Sequence, residues 1–198
     1  AWPFARATST TIGTGVSAGV VHKGRLYVGV NSSAGELGHI TVLPDGPVCL
    51  CGNRGCLQQL VSGPAIVNQA RERLRARNHS ILDGSVGHHP EQITAQLVFQ
   101  AAKQGDELSC EILEETTSYL GIAVANLINL FNPELIVLGG PLGQDYGFML
   151  DSLREEVRRR AMAYPLSAAQ IVSSSLAGDA AAIGASVLVL QRADKLFF

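Results

Sequence analysis

The chain has 198 residues, 46% hydrophobic and 16% charged, a balance that suits one substantial core, as one domain or a domain with a small insertion, and a compact soluble protein rather than a disordered one. Its net charge of −2 and pI near 6.2 argue against a chain that grips nucleic acid by itself. No apolar run approaches the roughly 20 residues of a membrane span. Ala1 to Arg6 carries no long apolar segment of the signal-peptide kind, and with the clustered thiols described below this favours a reducing, cytoplasmic setting.

Residues 7–30 predict three strands. "ATSTTI" enters strand character almost at once and leads into "GTG"; "VSAGVVH" follows, a "KG" turn reverses the chain, and "RLYVGV" returns. So abrupt an entry suggests a chain cut from something longer. Residues 31–56 lack periodicity and are rich in Gly, Pro and Cys, which predicts a loop-like insert held by something other than its own core. Leu57 to Ser62 predicts a short helix, and Pro64 opens another through about Arg77. Asn78 to Pro90 is a predicted connecting loop and Glu91 to Gln104 a helix. Asp106 is a predicted N-cap for a long helix in which Leu108, Ile112, Tyr119, Ala123, Leu127 and Phe131 recur at helical spacing. Asn132-Pro133 ends it. "LIVLGG" is a buried strand running into glycines, Gln144 to Met162 a charged amphipathic helix, "AQIVSSSL" a strand, and "AGDAAAIGASVLVL" a final helix. An antiparallel meander followed by alternating helices and strands predicts an α/β domain of the ribonuclease-H-like or actin-like kind, rather than a generic doubly wound sheet.

Three of the four cysteines lie within eight residues, Cys49, Cys51 and Cys56, just after His39. Cys49 and Cys51 are too close in sequence for an ordinary strain-free disulfide, and any pairing strands one thiol. One imidazole and three thiols are instead a recognised donor set for a closed, structural zinc ion, and thiolate softness favours zinc over magnesium or calcium, although composition leaves iron open. Gly52 and Gly55 would let the chain turn tightly between ligands. The plainer alternative is three reduced cysteines beside an unrelated histidine; the four residues together favour metal. Cys110, beside Leu108 and Ile112, reads as an inert core thiol.

The segments "GTGVSAGVVHKGRLYVG", "AGELGH", "CLCGNRGCLQ" and "NPELIVLGG", in that order, resemble the ROK family of repressors, open reading frames and sugar kinases. The resemblance covers nearly the whole chain. It implies the C-terminal half of a sugar-kinase, actin-like fold, with the zinc-binding insert at about 31–62 and with an N-terminal half and any helix-turn-helix domain outside the chain. It assigns sugar contacts by position to Glu36 and His39. The third sugar position departs from the pattern, because Gly-Cys-x-Glu reads here as Gly55-Cys56-Leu57-Gln58. Glutamine keeps an acceptor but loses the charge, so a charge-assisted contact worth about 1.5–3 kcal/mol becomes an ordinary one.

Gly13, Thr14 and Gly15, after a strand, offer amides and a hydroxyl that suit a phosphate, and the resemblance sets these and Gly139-Gly140 near the nucleotide of the family's kinases. The same glycines would equally serve tight turns. The family's catalytic aspartate and first phosphate motif have no counterpart here, and neither Asp45 nor Asp179 is assigned as a base, so no catalytic residue is expected. The resulting expectation is a sugar-sensing effector domain of a xylose-repressor-like transcriptional regulator. Its partners would be a sugar ligand, a second copy in a homodimer or larger homo-oligomer, and DNA only through a further domain. The alternative is the C-terminal portion of an ATP-dependent, glucokinase-like sugar kinase. Arg71, Arg73, Arg75 and Arg77 read as a solvated helix face rather than a DNA contact, as do Arg158, Arg159 and Arg160. His88-His89 reads as a polar loop.

Overall fold

The computed structural model describes residues 6–76, 80–176 and 179–193. Strand β1 (Arg6–Ile12) turns Ala7, Thr8, Thr10 and Ile12 inward. It pairs antiparallel with β2 (Val16–His22) through Gly13–Gly15, in a register that sets Ile12 opposite Val16. Lys23 and Gly24 both have positive φ, 50° and 75°, the requirement of the two-residue turn whose twist matches a hairpin. The returning strand is shorter than expected. Only Arg25–Leu26 forms β3, because Gly29 adopts a φ of 74° and the Ala34 amide donates to the Val28 carbonyl, which bends the chain off the sheet.

The other side of β1 pairs in parallel with β4 (Leu135–Gly139), which pairs in parallel with β5 (Gln170–Ser173). The sheet order is β3-β2-β1-β4-β5, antiparallel on one side of β1 and parallel on the other. This is the mixed arrangement expected of a ribonuclease-H-like or actin-like domain.

Helices α1 (Gln58–Val61) and α2 (Gly63–Ala76) follow the insert. Arg77 and the first two residues of the predicted loop, Asn78 and His79, lie outside the described residues. The rest of that loop carries a short helix, α3 (Ile81–Ser85), capped by the Ser80 hydroxyl, which accepts from the Leu82 amide. Five residues are too few to show a period, so pattern reading misses it. The helix expected from Glu91 starts later: Thr94 caps α4 (Ala95–Lys103), and Pro90–Gln92 forms a separate 3₁₀ turn. Asp106 caps α5 (Glu107–Phe131) as expected. Asn132 ends it in the left-handed region, with φ 43°.

The helix expected over Gln144 to Met162 is split. Asp145–Met149 is a 3₁₀ turn leading into α6 (Leu150–Arg160), and α7 (Ala163–Ala168) follows, holding Pro165 in its first turn where proline is tolerated. The closing helix α8 (Ala180–Ala193) leaves Ile183, Val187, Leu188, Val189 and Leu190 exposed. Ala177 and Gly178, also assigned to that helix, lie outside the described residues. A single apolar core joins Ile12, Ile136, Leu138 and Ile171 of the sheet to Phe99 of α4, Ile112, Leu120, Val124 and Ile128 of α5, and Val157 of α6. Among the described residues no helix is long and apolar enough to cross a membrane.

Candidate functional site

The insert is ordered by its own backbone bonds. The Leu57 amide donates to the Ile40 carbonyl at 2.9 Å, the Val42 amide to Gly55 at 2.9 Å and the Cys49 amide to Asn53 at 2.8 Å. Isolated bridges pair Thr41 with Cys56 and Val48 with Arg54, so the segment closes on itself. Gly55 makes the fold-back possible: its φ is +64°, and a Cβ there would stand 1.5 Å from the Leu43 carbonyl oxygen. At the insert's start, Gly35 and Gly38 lie flat against β2, where a Cβ would meet the Ala18 and Val16 carbonyl oxygens at 1.9 Å and 2.3 Å. The 3₁₀ turn Leu37–His39 therefore sits on the sheet, and Glu36 and His39 take their positions from it.

This closure brings together all four residues singled out for metal. The ligand atoms of His39, Cys49, Cys51 and Cys56 lie within 4.8 Å of one another. His39 Nδ1 is 3.6 Å from Cys49 Sγ, and Cys51 Sγ is 3.6 Å from Cys56 Sγ. Sulfurs held at about 2.3 Å around a tetrahedral ion stand about 3.7 Å apart, so the donor set suits such an ion, whereas a disulfide needs about 2 Å. All four cysteines of the chain are free thiols. Cys49 and Cys56 are buried and Cys51 is exposed.

The thiols differ in acidity. The Cys51 backbone amide donates to Cys49 and, with side-chain bonds from Gln59, Cys51 and Gln58, outweighs burial and lowers the Cys49 pKa to about 6. Burial, then the neighbouring Cys51 and Cys49, push Cys56 up to about 12. Three thiolates at this spacing repel one another, and a divalent cation is the natural counter-charge that lets all of them ionise.

The His39 ring faces two ways. Nδ1 points at Cys49, while Nε2 lies 3.9 Å from Glu36 Oε2. The Glu36 side chain is 65% exposed and that of His39 34%, so this edge opens to solvent, whereas Cys49 and Cys56 are buried. Gln58, at the first position of α1, turns inward: its Nε2 donates to Cys49 Sγ at 3.4 Å. Its Oε1 lies where a Cβ on Gly38 or Gly15 would be 3.2 Å or 3.5 Å away. Sequence reasoning missed this direction, since residue type alone does not set a side-chain torsion.

Both glycine sets lie at the carboxyl end of β1 and β4. The Gly13 carbonyl accepts from the Gly63 amide at 2.8 Å, and the Leu142 amide donates to Ile12 at 3.1 Å. Gly140 has a φ of +83°, and a Cβ there would lie 2.6 Å from the Ile12 oxygen. The Thr14 side chain is exposed at the turn. Gly13–Gly15 and Gly139-Gly140 thus adjoin, and Gln58 links the first of them to the sulfur cluster. The carboxyl ends of strands in an open α/β sheet are the usual place for a ligand crevice.

Several of the other singled-out residues have local partners. Arg71 donates to the Pro90 and Glu91 carbonyls at 2.8 Å and 2.7 Å, and Arg73 pairs with Glu111 and Glu115. Arg158 pairs with Glu155, and Arg159 and Arg160 with Glu156. His88 and His89 pair with Asp83 and Glu91. Cys110 is half-buried, and burial raises its pKa.

Residues 6–192 match the ROK family. A glucokinase of Thermotoga maritima is 37% identical over 182 residues, covering 92% of this chain and 57% of that protein. A xylose repressor of Caldicellulosiruptor bescii is 30% identical over 189 residues, covering 95% and 46%. The crystal structure of a ROK family glucokinase from Streptomyces griseus in complex with glucose and AMPPNP has a TM-score of 0.85 at 31% identity, over 94% of this chain and 61% of that one. The chain spans about half the length of the curated relatives it matches. Kinases and repressors both stand among these relatives, so the expected regulator is not favoured over the kinase. The chain belongs to the ROK family and has its sugar-kinase, actin-like fold.

Proposed function

We propose that this chain carries one wall of a sugar site, formed by Glu36 and His39 beside a structural zinc ion held by His39, Cys49, Cys51 and Cys56. The observation that carries the reading is the two-way His39 ring, with Nδ1 3.6 Å from Cys49 Sγ and Nε2 3.9 Å from the Glu36 carboxylate. A metal-bound imidazole has a fixed orientation, and its second nitrogen then offers a hydrogen bond in a set direction. The neighbouring carboxylate accepts from vicinal hydroxyls, the groups that a sugar presents. Four protein donors leave no open position on the ion, so its role is to hold the insert rather than to activate water.

On this reading residues 1–198 are the C-terminal half of a longer ROK protein, and a ligand lies between the two halves. The higher identity to a glucokinase supports transfer of phosphate from ATP to a hexose by the whole protein, with Gly13–Gly15 and Gly139-Gly140 beside the nucleotide. None of the chain's carboxylates is assigned as the base. A second reading, a sugar-responsive regulator, is supported by the repressor that aligns with 95% of this chain.

Calorimetric titration of zinc-loaded protein with glucose, N-acetylglucosamine and xylose tests the site. Saturable binding of one sugar, lost on chelation, is expected; silence across the panel overturns the reading. ADP release by the whole protein, given ATP and the bound sugar, separates kinase from regulator.

A further inference from the structure

Gln58 touches both the sulfur cluster and the glycine turn. Its amide nitrogen is 3.4 Å from Cys49 Sγ, and its oxygen lies against the slot that Gly15 and Gly38 leave open. The side chain starts at the first residue of α1, directly after the fully buried Cys56 and Leu57, so its root is fixed by the core. An amide can donate to a thiolate; a carboxylate of the same shape has no proton to give and would set a second negative charge against the sulfur.

We propose that Gln58 is a positioning residue for the metal centre, orienting the Cys49 sulfur by an N–H···S bond while its carbonyl oxygen rests between Gly15 and Gly38. The proposal rests on the reading of His39, Cys49, Cys51 and Cys56 as metal ligands. It goes beyond that reading by assigning position 58 to the sulfur rather than to the sugar. A hydrogen bond to a ligating sulfur draws electron density from it, so its loss raises the energy of the sulfur lone pairs. Outer groups of this kind typically change metal retention by about 10–100-fold.

The test replaces zinc with cobalt(II) in purified protein and follows the thiolate-to-cobalt charge-transfer bands and the rate of cobalt loss to a chelator. In Gln58→Leu the bands are expected to move to longer wavelength and cobalt to leave about 10-fold faster or more. Gln58→Met, which keeps the length and neutrality of the side chain but has no N–H to donate, should shift the bands the same way, and it carries the test if the leucine variant does not fold. A role confined to packing would leave the band energy of the methionine variant where it is in the wild type. Unchanged bands and retention in both variants overturn the proposal while leaving the metal reading intact. A wild-type protein that never gives a tetrahedral cobalt spectrum overturns the metal reading, and the proposal with it.

Discussion

The hydroxyl of Tyr146 donates to the main-chain carbonyl of Val61 at 2.8 Å, across 85 positions of sequence. Tyr146 is 1% exposed and meets Phe99 edge-on, with ring centroids 5.3 Å apart. Burial raises its pKa, so it stays a donor throughout the accessible pH range. The bond joins the turn after β4 to the end of α1, and so links the two glycine-bearing ends of the site. Tyr146→Phe leaves the Val61 carbonyl buried without this donor and should cost about 1–3 kcal/mol, measured by urea unfolding. An unchanged midpoint would show that the carbonyl finds another partner.

Metal removal should act locally before it acts globally. The segment from Leu37 to Ser62 contributes few residues to the core, so chelation is expected to raise amide hydrogen exchange there first. The five-stranded sheet should keep its protection. Exchange that rises evenly across the protein would mean that the insert and the sheet open together.

Glu36→Gln should weaken sugar binding about 10-fold or more, since a hydrogen bond to a charged group contributes about 1.5–3 kcal/mol. Zinc content should not change, because Glu36 lies on the Nε2 side of His39, away from the sulfurs. Calorimetry and elemental analysis on the same sample separate the two effects. A variant that loses zinc as well as sugar would contradict this division of the ring.

Asp106 sets a pH dependence. Burial alone would raise its pKa, but donors from the Ser109 hydroxyl and amide, the Ile81 amide and the Ser80 hydroxyl outweigh it and hold the carboxyl below the ordinary value of 3.8. A carboxyl depressed in the folded state stabilises fully above the unfolded pKa, and that contribution is lost as pH falls through the folded value. Asp106→Asn should therefore cost about 1–3 kcal/mol at pH 7 and progressively less below about pH 4. Melting curves from pH 7 down to pH 3 would show the two proteins converging. A gap that stays constant would assign the effect to lost cap geometry alone.

How far the sequence could be read depended on whether residue type or three-dimensional context decides each feature. The sulfur cluster was legible because few roles require three thiols and an imidazole so close together, and chain closure through Gly55 then brings them within 4.8 Å. The opening meander followed from the turn at Lys23-Gly24, and strand β4 from its buried apolar run, whereas the order of the strands in the sheet came only with the structure. The shortness of β3 was not legible, since Tyr27-Val28 has strong strand character and the pairing is ended by the φ of Gly29 and the bond from the Ala34 amide to the Val28 carbonyl. Helices α3 and α7, at five and six residues, carry too little pattern to detect. Gln58 was visible as a departure from the family pattern, but its direction depends on a torsion set by neighbours from three separate segments.

The closure of the insert has a consequence for proteolysis. Pro44 and Asp45 lie exposed in the stretch between His39 and Cys49, where a protease has access. A cut there would separate the imidazole from the thiols covalently. The nicked halves would nevertheless stay clasped by the Thr41–Cys56 bridge, the Leu57-to-Ile40 bond and the sheet, in which β1 and β2 belong to one piece and β4 and β5 to the other. Two bands on a denaturing gel would then migrate as one species in a native one.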